Sequence, residues 1–530
     1  MTPRSSDHRR LLTALVLVGI ALRLWAYVAN PALWLDEILL SRNIIDRSLL
    51  DLLTRPLLLD QVAPRGFLLV EKVSMLLLGP TEYALRLFPL LCAVGAMVLF
   101  RKLAERTLTG LAVPFAVAVF ALAIPFIKYG SEVKQYGVDG LAAIVLLLLA
   151  QDLRERDASM RRLVAIGGLG FVIIWFSQAS VLVMAGIGLA FALEWLLGRD
   201  RRAGRVLVTA IPLWAGASGL AVLMGLHSMT PATKEFMDDF WRSGFLPLPV
   251  RLSAVRWFWD QALTMFTDPS LLRYRLPELF LLLWLLGLAV LWRRQRGLAL
   301  LLLGPLLIGI TAAVAQQYPF RGRLMLYLMP GLLLAVAAGA EWIRTQLRRA
   351  QPLLGGVAMA ALLTLPVAAL AAAPPPYDLD HPRELLGYLQ QHRQPGDEVW
   401  VLPLPGIGVR FYGPRYGLER EDWTASVCDP TDTRAYLRDL DRYRGVPRLW
   451  VISAMHRAFR SVRPAVRGYL GTIGVLRDSL TLPSLRNGVV SIDLFDLSDT
   501  TRLGSARAAT FPVAPMATDP KPGCRPWTRE

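Results

Sequence analysis

The sequence predicts an α-helical polytopic membrane protein that carries a small α/β domain at its C-terminal end. The first observation behind this is composition: 54% of the 530 residues are hydrophobic and only 19% charged, with a mean hydropathy of +0.43. Soluble domains sit near a quarter charged, so the chain is built for an apolar solvent. The second is a series of apolar runs at 11–29, 83–100, 111–127, 138–151, 163–176, 180–197, 206–225, 277–292, 298–315, 324–343 and 353–373. These predict about eleven transmembrane crossings. The third is a change of character after Ala371–Pro376, where the AAAPPP run gives way to soluble-type periodicity.

The first run is preceded by Met1–Arg10, which is short and charged, and it lacks a small-residue cleavage site, so it reads as a retained span rather than a removed leader. Between it and the second run, Ile38–Leu53 and Phe67–Leu78 are amphipathic or apolar stretches too short or too polar to cross. They read as helices lying in the membrane interface, the second ended by Gly79-Pro80. The 138–151 and 163–176 runs are short and fit as tilted or bundle-buried spans. Beyond the membrane part, Pro382–His392 and Thr431–Tyr443 read as helices. Glu398–Leu402, Arg448–Ser453 and Val489–Leu497 read as strands. The expected domains are 1–376 in the membrane, 377–498 as an α/β unit and 499–530 as a mobile Pro-, Thr- and Ala-rich tail.

Orientation follows from arginine. Clusters at Arg9/Arg10, Arg101/Lys102/Arg106, Arg154/Arg156/Arg161/Arg162, Arg199/Arg201/Arg202/Arg205, Arg293/Arg294/Arg296 and Arg344/Arg348/Arg349 alternate onto one side of the predicted spans. The positive-inside rule makes that side cytoplasmic and the C-terminal domain extracytoplasmic. The formal charge of +17 is thus largely topological. With no nucleic-acid module in sight, it argues against a nucleic-acid partner. Of three cysteines, Cys428 and Cys524 lie in the polar C-terminal third, where an extracytoplasmic setting would permit a disulfide between them.

Against this layout, five sets of charged residues need an explanation. Asp36 and Glu37 follow Trp34 in the first outer loop. A helix start accommodates them. A general base or a divalent-metal ligand at the edge of a membrane cavity is the alternative. The second outer stretch, Lys128-Tyr129-Gly130-Ser131-Glu132-Val133-Lys134-Gln135-Tyr136, fits a capped helix start in Ser131 and Glu132. Two lysines at a helix N-terminus have no such reason, and an anionic partner would supply one. Arg321 and Arg323 sit in a short outer connector against the orienting charge bias, either as lipid-headgroup anchors or as a phosphate clamp. Arg23 lies deep in the first span, either snorkelling or paired with Asp36 or Glu37. Arg65, with Glu71 and Lys72, belongs to the second interfacial helix, where a salt-paired surface is the ordinary account. Carboxylates and cations on one non-cytoplasmic face point to group transfer from a lipid phosphate. No nucleotide-binding glycine loop is present.

The order of these motifs resembles a known family. An Asp-Glu pair in the first outer loop is followed by GPTEYALRLFPLL, by YGSEVKQYGVDGLAAIVLLLLA and by RGRLMLYLMPGLLL. This resembles the bacterial GT-C glycosyltransferases of the dolichyl-phosphate-mannose protein mannosyltransferase superfamily, which includes aminoarabinose–lipid A transferases. The resemblance spans roughly 11–370 in organisation. It implies a polyprenyl-phosphate sugar donor, a lipid, glycan or protein acceptor, inversion at the anomeric carbon and a bacterial inner-membrane location. It also implies Asp36 as base or metal-associated acid with Glu37 its neighbour. Lys134, Lys128, Arg321 and Arg323 are implied for the donor phosphate, and Glu132, Tyr136, Tyr129 and Arg65 for the pocket. Ala63-Pro64-Arg65-Gly66 departs from the proline-rich, often His-containing motif of many relatives. A transporter or flippase for a lipid-linked sugar is the competing class, and a non-catalytic scaffold a third.

Overall fold

The computed structural model describes residues 6–155, 157–198, 200–227, 229–267, 275–429, 431–455, 461–484, 488–499, 501–502 and 507–514. Position 199 and the segments 268–274 and 515–530, with Cys524, lie outside them. The membrane part opens with α1 (Ser6–Val28), then α2 (Leu35–Asp46), α3 (Leu49–Thr54) and α4 (Arg65–Leu78). It continues through α5 (Glu82–Thr107), α6 (Ala112–Leu122), α7 (Ile124–Lys128), α8 (Tyr136–Glu155), α9 (Met160–Ile174) and α10 (Ser180–Gly198). Next come α11 (Arg201–Val208), α12 (Ala210–His227), α13 (Pro231–Phe240), α14 (Leu252–Thr267), α15 (Pro277–Arg294) and α16 (Arg296–Val314). A 3-10 segment, Gly322–Leu328, leads into α17 (Met329–Ala350), and α18 (Pro352–Ala372) ends the bundle.

Every predicted apolar run falls on helix, but among the described residues 8 helices are long and apolar enough to cross a membrane, fewer than the run count. The shortfall has a cause at each place. The 111–127 run is broken between α6 and α7 ahead of Pro125, and α9 is only 15 residues long. The 18 residues of α15 include Glu278, Arg293 and Arg294. The span formed by Gly322–Ala350 is 89% buried and runs through the centre, whereas those at Arg201–Gly225 and Pro352–Ala372 are 22% buried and lie at the periphery. The central helix is gripped closely: a Cβ on Gly339 would stand 2.0 Å from the Leu283 carbonyl, and one on Gly287 would stand 1.8 Å from that of Ala335. Small residues let α15 and α17 pack backbone to backbone, the usual means of association where no hydrophobic effect separates helix from lipid.

At one end of the bundle the arginine-rich connectors bridge one another. Arg162 pairs with Asp152, Arg154 with Glu194 at 2.8 Å, and Arg202 and Arg205 with Asp157 at 3.2 and 2.6 Å. The opposite end carries α2 to α4, the 128–136 loop, α13, α14 and the sheet-bearing part of the chain.

That part contains α19 (Pro382–His392), β1 (Glu398–Val401), α20 (Pro403–Tyr412), β2 (Thr424–Ala425) and α21 (Thr433–Leu440). It ends with β3 (Leu449–Ala454), α22 (Val462–Ile473), β4 (Val475–Ser484) and β5 (Gly488–Asp496). The sheet order is β2-β1-β3-β5-β4, with β2, β1 and β3 parallel and β3-β5-β4 antiparallel. One face packs under α21 and α22 with Trp400, Tyr436 and Tyr469 buried. The other merges into an apolar cluster shared with the first loop of the membrane part, including Leu33, Ile38, Leu40 and Phe67 together with Leu385, Val409 and Ile452. The junction is therefore packed, and Tyr377 is itself buried in the bundle's core.

The tail does not hang free over its whole length: Ala508 is buried and Phe511 sits edge-on to Tyr469, 5.3 Å between ring centres. Cys428 is disulfide-bonded and Cys92 is a buried free thiol.

Arg23 adopts neither of the two arrangements expected of it. It is fully buried and donates to the carbonyls of Gly19 (2.7 Å), Phe120 (3.3 Å) and Ala121 (3.4 Å), with its guanidinium 5.5 Å from the Phe120 ring centre. The reason lies in Pro125. Having no N–H, it cannot bond the Ala121 carbonyl four residues back, and Arg23 replaces that donor at the end of α6.

Candidate active site

Asp36 and Glu37 are adjacent on the first turn of α2, about 100° apart on the helix, and they point into different surroundings. Glu37 is 1% exposed. Its Oε1 accepts from Arg86 Nε (3.0 Å) and Val133 N (2.8 Å), its Oε2 from Arg86 Nη2 (2.8 Å) and Trp34 N (3.4 Å). Burial drives Glu37 above the usual carboxylate range against the opposing pull of Arg86. The carboxylate is consumed in joining α2, α5 and the 128–136 loop. Of the two acids expected to be catalytic, Glu37 is the one whose oxygens are already occupied within the frame of the site.

Asp36 lies instead among cations. Arg323 Nη2 lies 2.5 Å from its Oδ2 and Lys134 Nζ 3.8 Å from its Oδ1, with the Asp36 side chain 20% exposed. Lys134 also donates to Gln61 Oε1 at 2.9 Å. Burial holds Lys134 below the ordinary lysine value, opposed by Asp36 and reinforced by Arg323. Aromatic rings surround this charge cluster. The Arg323 guanidinium lies 5.1 Å from the ring centre of Tyr136, 5.6 Å from that of Trp241 and 5.9 Å from that of Trp34. Lys128 Nζ lies 4.9 Å from the Tyr129 ring centre and 5.7 Å from that of Trp34, and it pairs with Glu132 at 3.0 Å. Tyr129 and Tyr136 meet edge to face at 5.2 Å.

The local sequence explains how the 128–136 loop reaches this place. Pro125 sits in the first turn of α7 and fixes where that short helix begins, and Ser131 folds its hydroxyl back onto the Lys128 carbonyl (2.9 Å) instead of capping the next helix. Gly130 lets the loop lie on α5, where a Cβ would stand 2.6 Å from that of Ala93. Val133 N–H is then delivered to Glu37.

The remaining predicted residues divide. Lys128, Tyr129, Glu132, Lys134, Tyr136 and Arg323 gather around Asp36, directly or through shared rings. Arg321 does not: its guanidinium turns to the Ser243 hydroxyl, next to Gly244, which accepts from Phe320 N–H at 2.8 Å. The extended backbone at Arg321, followed by a 3-10 turn, sends side chains two residues apart to different neighbours. Arg65 also lies elsewhere, donating to the Leu52 carbonyl at 2.8 Å and bracing α3 against α4. Glu71 and Lys72 do not pair, because neighbours on a helix face apart. Lys72 donates to the Ile45 carbonyl (3.0 Å). Both Glu71 oxygens are buried without a hydrogen bond among the described residues, and burial pushes that carboxyl well above its usual range.

Sequence reading missed Arg86, Gln61 and Trp241. Arg86 had a signal, a cation inside the apolar run of α5. Gln61 and Trp241 had none, since loop residues are brought to Lys134 and Arg323 only by the fold.

The donor set around Asp36 does not suit a divalent cation. Its nearest charged partners are cations, while Glu37 is held by Arg86 and Glu132 by Lys128. Among the described residues, metal-ligand types converge at Asp378, His381 and Glu384, with ligand atoms within 4.8 Å of one another, in the turn that leads into α19.

No family model and no curated protein matches the chain. Among solved structures it is similar to ArnT from Cupriavidus metallidurans bound to undecaprenyl phosphate, at 12% identity over 95% of this chain and 100% of that one, TM-score 0.48. It is also similar to the Archaeoglobus fulgidus oligosaccharyltransferase in complex with Zn and sulfate, at 11% identity over 86% and 69% of the two chains, TM-score 0.47. The oligosaccharyltransferase AglB from Archaeoglobus fulgidus, with an inhibitory peptide and a dolichol-phosphate, matches at 11% identity over 92% and 74%, TM-score 0.45.

Proposed function

We propose that this chain is an integral-membrane glycosyltransferase of the GT-C kind, which moves a sugar from a polyprenyl-phosphate donor to an acceptor outside the cytoplasm by a single inverting displacement. The carrying observation is the convergence of Arg323 and Lys134 on Asp36 among the Tyr136 and Trp241 rings. The arginine alternation and the ordered motifs of the sequence support the orientation and the class. On this reading the site lies toward the non-cytoplasmic face of a bacterial inner membrane.

The chemistry follows from charge. Polyprenyl phosphate leaves as an anion, so the reaction needs cations where phosphate charge develops and has little use for a strong general acid. Arg323 offers a planar fork of donors and Lys134 a compact ammonium, each suited to phosphate oxygens. In the resting site both face Asp36, whose single negative charge offsets one of the two positive charges. A bound phosphate competes for them, and the carboxylate it displaces is then able to accept the proton of an acceptor hydroxyl or amine attacking the sugar C1. The Trp34, Tyr129, Tyr136 and Trp241 rings supply apolar faces with polar tips for a sugar to lie against.

A transporter would use ionisable groups along a path at mid-membrane depth. Arg23, the one deep charge singled out in the sequence, is spent on helix carbonyls, which favours the enzyme reading.

The test is mass spectrometry of envelope glycans, lipids and proteins from a strain lacking the gene, complemented with wild type or Asp36→Asn. A hexose or pentose increment that is lost, restored by wild type and restored to no more than about 1% by Asp36→Asn at equal expression is the expected result. Full restoration by Asp36→Asn removes the base.

A further inference from the structure

The backbone just ahead of Asp36 is held by the sheet-bearing part of the chain. Residues 31–34 form no helix or strand, and the chain turns at Asn30, which adopts φ 43°. The N–H groups of Leu33 and Leu35 precede or open α2, so no carbonyl within the helix can accept them. Trp34, at the N-cap position, has no side-chain acceptor to offer. Two side chains from more than three hundred residues away fill the gap: Leu33 N–H donates to the Tyr412 hydroxyl (2.8 Å) and Leu35 N–H to Asp380 Oδ2 (3.0 Å). Arg383 donates to the Asn30 carbonyl.

Asp380 is presented by a fixed turn. His381 N–H donates to Asp378 Oδ1 at 3.0 Å, and the His381 ring contacts the Pro483 carbonyl at 3.0 Å. Tyr412 is fully buried at the end of α20, with Arg415 5.1 Å from its ring centre. From inside the bundle Arg86 donates to the Pro31 carbonyl at 2.6 Å. The 30–35 strap is thus gripped from two sides, and one grip comes from the C-terminal part.

We infer that the C-terminal domain is a working part of the active site, in which Asp380 and Tyr412 are positioning residues that set the start of α2 and thereby aim Asp36. The inference rests on the transferase reading above. Misplacing a reacting group by about 1 Å can cost on the order of 10²-fold in rate, so loss of a grip on the residue next to Asp36 acts on turnover more than on donor binding.

The experiment compares full-length Asp380→Ala, Asp380→Asn, Tyr412→Phe and Arg448→Ala in detergent or nanodiscs. It uses steady-state kinetics with the donor found by mass spectrometry, and hydrogen exchange of the peptide covering residues 30–40. Asp380→Ala should lower kcat roughly 10- to 100-fold with donor KM changed less than about threefold, and should speed exchange across 33–36. Asp380→Asn keeps an acceptor oxygen and should recover most of kcat. Tyr412→Phe should behave as a milder Asp380→Ala. Arg448→Ala breaks a pair with Asp397, 2.6 Å apart, that is internal to the C-terminal domain and, among the described residues, gives no hydrogen bond to the strap. It should lower Tm without lowering kcat per folded molecule. An unchanged kcat in Asp380→Ala, or an equal loss in Arg448→Ala, overturns the positioning role while leaving the transferase reading intact. A wild-type protein without turnover overturns both.

Discussion

Replacing Glu37 by Gln separates the two neighbouring carboxylates in one measurement. Glu37 receives four donors on two oxygens, from Arg86 Nε and Nη2, Val133 N and Trp34 N. An amide keeps one oxygen, which can still serve two of them. Its NH₂ group must then face the other two donors, so a favourable contact becomes donor against donor, and Arg86, 1% exposed, loses its ion-pair partner. Breaking one partner of a buried ion pair costs about 3–5 kcal/mol. Arg86 retains the Pro31 carbonyl at 2.6 Å and Asn30 Oδ1 at 3.2 Å, which places the cost toward the lower end. For a bundle of this size that corresponds to a fall in Tm on the order of 3–5 °C. The assay is thermal unfolding of the detergent-solubilised protein, with turnover measured per folded molecule well below Tm. Glu37→Gln should lose stability out of proportion to kcat, and Asp36→Asn should do the reverse. A Glu37→Gln protein with wild-type Tm and abolished turnover would falsify the division of labour.

Other perturbations follow from the same geometry. Lys134 is held below the ordinary lysine value by burial, so its charge is lost earlier as pH rises. Transfer that needs the ammonium should decline on an alkaline limb below the usual lysine range near about 10.4. Lys134→Arg should move that limb upward, and an identical profile in the variant removes Lys134 from the titration. Glu71 is raised by burial alone, so its contribution to stability shrinks as pH rises from its unfolded value toward its folded one. The Tm of Glu71→Gln relative to wild type should therefore improve between about pH 4 and pH 7; a constant difference contradicts the burial account. Arg23→Met should lower stability by about 1–3 kcal/mol by stripping donors from buried carbonyls. Adding Pro125→Ala should narrow that loss, because an alanine N–H can again reach Ala121. If the second change does not narrow it, Arg23 is not standing in for a backbone donor.

Much of this architecture is written in local pattern. Pro382–His392 is a helix with the predicted bounds because Pro opens it and apolar residues recur on one face. Helix α20 escaped detection because Pro403, Pro405, Gly406 and Gly408 read as breakers; both prolines fall in the first turn, where the missing N–H has no partner to lose. The same holds for Pro464 in α22. At the site, residue type located Asp36, Lys134 and Arg323, since charge in an outer loop of an apolar protein stands out. It did not separate Asp36 from Glu37, or Arg323 from Arg321. The order of motifs favoured Asp36 over Glu37, but the physical basis of both distinctions, helix phase and where Arg86 and Ser243 stand, is determined by the folded chain.

The strap ahead of α2 also has a consequence for how such a protein comes into being. Asp36 is synthesised among the first residues of the chain, yet its partners arrive in order at Lys134, Arg323 and finally Asp380 beside it. A nascent chain inserted helix by helix therefore holds an unfinished site until the ribosome has passed the last span and the segment after it. The surroundings of Asp36 are complete only after the segment that carries Asp380 has emerged and packed against the start of α2.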